Sequence, residues 1–511
     1  MNKLLRNLKE EENYTLTENG DTTHVTTFSN CLDFFAFGGA MRNRSEEDVI
    51  LQFKKAYKEN PLISMKLLFY FRDVRGGQGE RRLFRVITKW LEKNNSKALK
   101  KNLIYFAEFG RWDDLLELGY KGSKFEKEVL SIVKNQLETD LKDMSDNKPI
   151  SLLAKRMPSL GASSVDTKLK AKYFAKKLGM NAKKYRKTLV KLRNHIRLVE
   201  TQMSSNNWHE IEFDKLPSKA GLKYRKAFER HCEERYRAFM YSDKTTVNAA
   251  TLYPYEVVEK AIRIRHSFST STTERNVVNK YWSNLKDYFN GKSCSLLPVV
   301  DTSGSMWGTP INVAISLGIY CAERNKGPFK DHYISFSRKA RLVEVEGIDF
   351  VDKVRRIYDT NLCENTNIES VFDLVLNTAL KNNLSQEDLP QNIAIISDMK
   401  FDNGVDEFNR WSWRSSRSEQ KYSSHETLME SIAKKWQSHG YEMPHLIYWN
   451  VNARQNNIPM LGSGRISYVS GFSPSTFEII LTGKTGYELM MEAVNPVSYT
   501  HLRAHETELH L

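Results

Sequence analysis

Near residue 292 the periodicity of the apolar residues changes, and with it the kind of fold the chain can build. Downstream, short apolar runs alternate with amphipathic stretches. Residues 295–300, 333–336, 342–345, 393–396, 446–449 and 466–469 read as strands, and residues 368–380, 426–439 and 477–481 as helices. After the first strand, Thr309 and Pro310 make an N-cap and first-turn pair, and Ile311, Ala314, Ile315 and Ile319 follow on one helical face. Such alternation specifies a doubly wound, mostly parallel α/β sheet. Pro298 conflicts locally with a strand because it brings no ladder donor; a bulge or a strand end would accommodate it.

Upstream, from Ser29 to Asn290, apolar residues recur at steps of three and four. Leu62, Ile63, Leu67, Leu68 and Phe71 form one such set, and Leu83, Val86, Ile87, Trp90 and Leu91 another after the break Gly76-Gly77-Gln78-Gly79. Leu103, Ile104, Phe106 and Phe109 lead through Gly110 into Trp112, Leu115 and Leu116. The pattern predicts antiparallel helix pairs joined at glycines and stacked as a HEAT-like helical repeat, with long connections at 204–218 and 245–254. The expected fold class is therefore α plus α/β. Its divisions are an N-terminal extension over 1–28, a helical domain over 29–291 and an α/β domain over 292–495. Residues 496–511 continue neither pattern and hold three of the twelve histidines, His501, His505 and His510. They resemble translated sequencing-adapter read-through and are read as a non-native tail, with an ordinary flexible tail as the alternative.

A chain of 511 residues can bury substantial cores, and no run of about eighteen apolar residues occurs, so a membrane-spanning protein is not expected. The first residues lack the apolar stretch of a signal peptide. Five scattered cysteines, Cys31, Cys232, Cys294, Cys321 and Cys363, exclude a C-x-x-C zinc site and suit a reducing cytoplasm. A cytoplasmic monomer is expected.

Charge divides as the periodicity does. Residues 1–300 carry 56 Lys and Arg against 36 Asp and Glu, whereas residues 301–511 carry 21 against 26. The densest basic run lies between Asp166 and Glu200, where no acid intervenes among Lys168, Lys170, Lys172, Lys176, Lys177, Lys183, Lys184, Arg186, Lys187, Lys191, Arg193 and Arg197. That density can neutralise several phosphates of a polyanion, which is the electrostatic footprint of nucleic-acid binding. Tyr173, Phe174 and Tyr185 are interleaved: they either stack on unpaired bases or pack in the core beneath a solvated helix face. Arg72, Arg75, Arg81 and Arg82 flank Gly76, Gly77 and Gly79, but no Lys-Ser/Thr follows, so this is no P-loop. A helix–helix turn in which Asp73 and Glu80 pair with neighbouring arginines is favoured, with RNA contact as an added role.

At the end of the first α/β strand stands Asp301-Thr302-Ser303-Gly304-Ser305-Met306. A carboxylate and two hydroxyls at i, i+2 and i+4 can converge on a small hard cation at the carboxyl edge of the sheet. Thr366, ahead of one helix, adds a hydroxyl, and Asp398, directly after a later strand, adds a second carboxylate. Asp301, Ser303, Ser305, Thr366 and Asp398 together have the composition of a metal-ion-dependent adhesion site for Mg²⁺ or Mn²⁺. So few charged ligands leave the ion able to capture a partner's carboxylate or phosphate oxygen.

These blocks, with Arg72-Asp73-Val74-Arg75-Gly76-Gly77-Gln78-Gly79-Glu80-Arg81, Ser397-Asp398-Met399-Lys400-Phe401-Asp402 and Tyr448-Trp449-Asn450, resemble a family of unknown function that joins a TROVE-like module to a von Willebrand factor A domain. The likeness runs from about residue 28 to 494 and extends, more distantly, to the Ro autoantigen family, rings of helical repeats closed by an A domain. The resemblance implies binding of small structured non-coding RNA on the basic outer surface of the helical part and of single-stranded RNA ends through the hole of such a ring. The leading expectation is therefore a ribonucleoprotein component. The alternative is an adaptor that captures an acidic protein side chain at the metal site, with the helices as scaffold. An enzyme is not expected, and no catalytic residue is assigned: two aspartates are too few for a metal-dependent nuclease, and His195, His209, His231 and His266 stand without a nucleophile at a telling spacing.

Overall fold

The structure is a computed structural model that describes residues 12–17, 22–265, 272–336, 339–360, 367–401, 427–461 and 465–504. It forms two compact units, one from residues 1–67 and 252–496 and the other from 68–251 and 497–511.

The first unit is built on a pair of short antiparallel strands, β1 (Tyr14–Leu16) and β2 (Thr22–His24), and a six-stranded sheet of β3 (Leu296–Asp301), β4 (His332–Phe336), β5 (Arg341–Glu344), β6 (Asn392–Ser397), β7 (His445–Asn450) and β8 (Ile466–Ser470). The order across the sheet is β5-β4-β3-β6-β7-β8, parallel throughout except for the antiparallel edge strand β5. All six residues of β3 are buried, as a strand covered on both faces requires. Pro298 is neither in a bulge nor at the strand end. It pairs with Ala394 of β6, while the β4 ladder begins only at Val299, so the flank on that side holds no strand partner at the proline.

This compact unit extends across residue 292, because Asn30–Gly38 packs on the sheet and two further helices expected in the helical domain pack on helices that flank it. Asn30–Gly38 is almost entirely buried, and its C-cap Gly39 lies so close to β8 that a Cβ would stand 2.4 Å from the Ser470 carbonyl oxygen. Ser470 Oγ donates to Phe35 O at 2.8 Å and accepts from Gly39 N at 2.9 Å. The Glu59 carboxylate receives Ser29 Oγ, Asn30 N and Cys31 N at that helix's N-terminus. The helices Pro254–Arg265 and Thr272–Ser283 also belong here. Arg275 grips Asp349 at 2.5 and 2.6 Å, and Trp282 stacks on Phe350 at 3.9 Å while donating to Glu323 at 2.6 Å. Pro254–Arg265 packs against Thr309–Arg324, which is brought so near β3 that a Cβ on Gly318 would meet Val300 Cγ2 at 2.4 Å.

The second unit is helical. Its first turn carries the Arg-Asp-Val-Arg-Gly-Gly-Gln-Gly block, and the turn is held from inside. Arg72, 1% exposed, donates to Asp114 Oδ2 at 2.9 and 2.6 Å. Arg85 Nε donates to Asp114 Oδ1 at 3.0 Å, and Arg81 pairs with Asp113. Asp73 accepts from Arg75 N, and Gln78 Nε2 donates to Tyr70 OH. Gly77 is required here because a Cβ would stand 1.9 Å from Tyr70 O. Residues 497–504 pack into this unit: Tyr499 stacks on Phe109 and donates to Asp73 at 2.8 Å, and Asn102 exchanges hydrogen bonds with the Arg503 backbone. The sequence pattern gave this segment no place in the fold; its aromatic and backbone groups have one. No helix among the described residues is long and apolar enough to cross a membrane.

Candidate functional site

β3 and β6 are neighbours in space but run to opposite halves of the sheet order, so a crevice forms beyond their carboxyl ends. Asp301 is the last residue of β3, and Asp398 directly follows β6. Both are buried. The Asp301 carboxylate accepts Ser303 N on Oδ1 at 2.9 Å and Ser397 Oγ on Oδ2 at 2.5 Å. Ser303 Oγ lies 3.2 Å from Ser305 Oγ. Asp398 Oδ1 accepts Lys400 N at 3.3 Å, but its Oδ2 is buried with no hydrogen-bond partner. Thr366 lies outside the described residues, as do Cys363 and His266. Four of the five expected ligands are therefore placed, and they gather at one sheet edge.

Burial, and next the Asp301 charge, push the Asp398 carboxyl up to about 7, with the Ser305 hydroxyl and the Lys400 ammonium pulling the other way. A buried carboxylate oxygen without a donor, facing a second carboxylate, fits a cation as its missing partner. Two carboxylates and two hydroxyls suit a hard divalent ion such as Mg²⁺ or Mn²⁺. Among the described residues no group of three or more His, Cys, Asp or Glu forms, so a carboxylate-rich cage is absent there.

Ser397 was missed as a working residue. Its hydroxyl donates to Asp301 and accepts Met399 N at 3.0 Å, tying the two strand ends together. Met399 sits at φ 61°, a left-handed conformation rare for a side chain of this kind, and its carbonyl accepts Asn457 Nδ2 at 3.3 Å. The signal was present, since a serine beside Asp398 at a parallel strand's end occupies the register next to Asp301. Lys400, also buried, places an ammonium charge in the same neighbourhood.

The lysine-dense segment forms two helices, Val165–Lys177 and Ala182–His195, in the second unit. The first buries Ala171, Phe174 and Ala175, and the second Tyr185, Leu189 and Leu192. Steps of four then put Lys168, Lys172 and Lys176 in one exposed row and Lys183, Lys187 and Lys191 in another, with Lys184 and Arg186 also exposed. The remaining bases are engaged. Lys170 pairs with Asp166, Lys177 with Glu126 and Arg197 with Glu212. Arg193 donates to Ala154 O, Ser159 Oγ and Met157 O, so it braces the fold. The aromatics belong to the interior rather than to an open stacking face. Phe174 is buried, Tyr185 donates to Pro158 O at 2.8 Å, and Tyr173 meets Tyr120 edge-on. Two of the histidines have structural partners, His195 against Lys148 O and His231 stacked on Trp208.

The architecture and this edge define a doubly wound α/β unit with a paired-carboxylate site at its switch point. Residues 295–507 match the family model described as Domain of unknown function (DUF7788), and residues 17–126 and 162–293 match Domain of unknown function (DUF2828). The chain is also similar to Uncharacterized protein L728 of Acanthamoeba polyphaga mimivirus, 29% identical over 527 residues, covering 95% of this chain and 86% of the relative.

Proposed function

We propose that this chain is a non-enzymatic RNA-binding protein, a ribonucleoprotein component whose helical unit holds small non-coding RNA by its phosphates. The observation that carries the reading is the pair of exposed lysine rows, Lys168, Lys172, Lys176 and Lys183, Lys187, Lys191, on helices whose only acid in the first turns is Asp166. Successive lysines in each row rise about 6 Å along the helix, so the rows offer a repeating charge to a polyanion. With the aromatics turned inward, the contact is to backbone rather than bases.

In the same proposal the α/β unit is a von Willebrand factor A-type domain, supported by its strand order, its antiparallel edge strand and the Asp-x-Ser-x-Ser turn. Asp301, Ser303, Ser305 and Asp398 would hold Mg²⁺ or Mn²⁺, which when bound supplies a Lewis-acidic position for one partner oxygen. Ser397 orients Asp301, and Lys400 moderates the charge. The donorless Asp398 Oδ2 favours a second reading, an adaptor that takes an acidic protein side chain there.

The test is RNA affinity as a function of salt. Reversing Lys183, Lys184, Arg186 and Lys187 to Glu should flatten the log–log slope by roughly 3, at about 0.7 per phosphate contact on a single strand. An unchanged slope refutes the lysine surface. Binding that ignores salt but disappears with Asp301→Ala or chelator favours the adaptor.

A further inference from the structure

A cavity of about 470 Å³ in the helical unit is lined from the short helix Leu153–Arg156, the first turn of Val165–Lys177 and the last turn of Ala182–His195. Its cations are Lys155, Arg156 and Arg193, all half-buried, and its one carboxylate is Glu200. None of the exposed row lysines, Lys168, Lys172, Lys176, Lys183, Lys187 and Lys191, lines it. The cavity is therefore a feature separate from the rows.

Each of these cations is loosely compensated. Arg193 donates to Ala154 O at 2.9 Å, Ser159 Oγ at 2.7 Å and Met157 O at 2.8 Å, all neutral oxygens, so its position is fixed while its charge is not neutralised. Those bonds leave one N–H on each of its terminal nitrogens, and among the described residues it has no ion pair. Burial lowers its hold on the proton, with Tyr185 opposing. Arg156 has Asp113 Oδ1 4.0 Å away, and Lys155 meets Glu200 at 3.6 Å. Lys155, Arg156 and Arg193 against Glu200 alone leave the lining with a surplus of two positive charges. Like charges gathered at half-buried positions repel one another and lose hydration, and an anion among them relieves both costs. Hydroxyl donors are also at hand. Ser159 Oγ accepts from Arg193 and keeps its own hydrogen to donate, and Thr167 and Ser204 line the same space.

We propose that this cavity binds a small phosphomonoester, one phosphate group on a compact organic body, at a site independent of the RNA surface. A phosphomonoester carries about 1.5 to 2 negative charges at neutral pH, which matches the surplus, and its oxygens accept from guanidinium, ammonium and hydroxyl donors together. Pro158, Ala162 and Leu198 give the space an apolar wall that a bare ion would not use and an organic body would. The volume falls within the range of about 300 to 1,000 Å³ typical of small-molecule sites. Glu200 in the lining repels the further phosphates that a polymer would bring, so the arrangement favours a free ester.

The experiment titrates the full chain by calorimetry with four probes: adenosine monophosphate, ribose 5-phosphate, adenosine and inorganic phosphate. At least one of the two esters should bind about tenfold or more tighter than both adenosine and inorganic phosphate, and which ester does so tells a nucleotide from a sugar phosphate as the source of the phosphate. Arg156→Gln, and independently Lys155→Gln, should each weaken that ester by about tenfold, the loss expected for one charged hydrogen bond. Lys183→Glu with Lys187→Glu should leave ester binding within about twofold, so the site stands or falls apart from the RNA reading. No saturable binding of either ester up to about 1 mM overturns the proposal. Inorganic phosphate binding as tightly as the esters overturns it in favour of a simple anion site, and adenosine binding as tightly removes the phosphate from it. Ester affinity that survives both pocket variants, or that falls with the row variant, places the ligand elsewhere.

Discussion

Replacing Asp398 by Asn isolates the electrostatics of the sheet-edge site. The rise of its carboxyl from 3.8 to about 7 means that, without a cation, holding the group ionised at pH 8 costs the folded state up to about 4 kcal/mol. The direction follows from the raised value. The favourable contribution of the protonated acid is full below about 3.8 and lost as pH rises through about 7. Asparagine keeps an oxygen for Lys400 N and carries no charge. In chelator at pH 8 the variant should therefore melt above the wild-type protein, by roughly 8 °C at about 2 °C per kcal/mol for a unit of this size. Mg²⁺ at a hundredfold over its dissociation constant should return about 2.7 kcal/mol to the wild type and raise its melting temperature by roughly 5 °C, leaving the variant unmoved. Differential scanning calorimetry across pH 5 to 8, with and without Mg²⁺, reads both effects. An Asp398→Asn variant that melts below wild type in chelator, or a Mg²⁺ shift equal in the two proteins, would refute the paired-carboxylate account.

Arg72→Met should destabilise the helical unit by about 3–5 kcal/mol in urea, because Asp114 is left buried with only its outer arginines. Burial works against the Asp114 charge, yet Arg72 and Arg85 hold its carboxyl below the usual range, and a loss under about 1 kcal/mol would show that Arg85 alone suffices. Gly39→Ala should cost about 1–3 kcal/mol, since the added methyl meets the Ser470 carbonyl at 2.4 Å and must push a buried helix off β8; an unchanged urea midpoint would contradict the close approach. Burial first, and Arg465 second, hold His445 down at about 4, with its ring nitrogens 3.1 Å from Asn392 Oδ1 and 2.9 Å from Ser467 Oγ. Because the folded value is depressed, stability is complete above about 6.5 and falls as pH drops towards 4, by on the order of 1–2 kcal/mol for a partly exposed ring. His445→Gln should flatten that part of the stability–pH curve, and an undiminished slope would place the proton elsewhere.

The sheet and its edge were legible because each rests on local information. An unbroken apolar run such as Leu296–Val300 is the signature of a strand covered on both faces, and a strand-terminal Asp followed by two alternate serines fixes where oxygen donors emerge. All six sheet strands lie within a residue or so of where the pattern put them. The failures have one cause, which is that periodicity reports a buried face and not what covers it. Asn30–Gly38 and Thr272–Ser283 read as members of a helical stack, yet Ser470 holds the first to the sheet and Asp349 with Phe350 holds the second; none of these partners is near in sequence. The strands β1 and β2 went unseen because three residues each, two of them Thr-Thr, carry no alternation to detect, and His24 finds its place only against Ile458 and Glu430. The basic helices divide in the same way. Their charge is a property of composition and was plain, whereas the inward turn of Tyr185 was written in its spacing to Leu189 and Leu192, an i, i+4, i+7 stripe that outranks any stacking role. Applied to Arg193, one residue past that stripe, the same geometry predicts a guanidinium folded back along the helix towards the chain beneath it, and three hydrogen bonds to residues 154–159 hold it there.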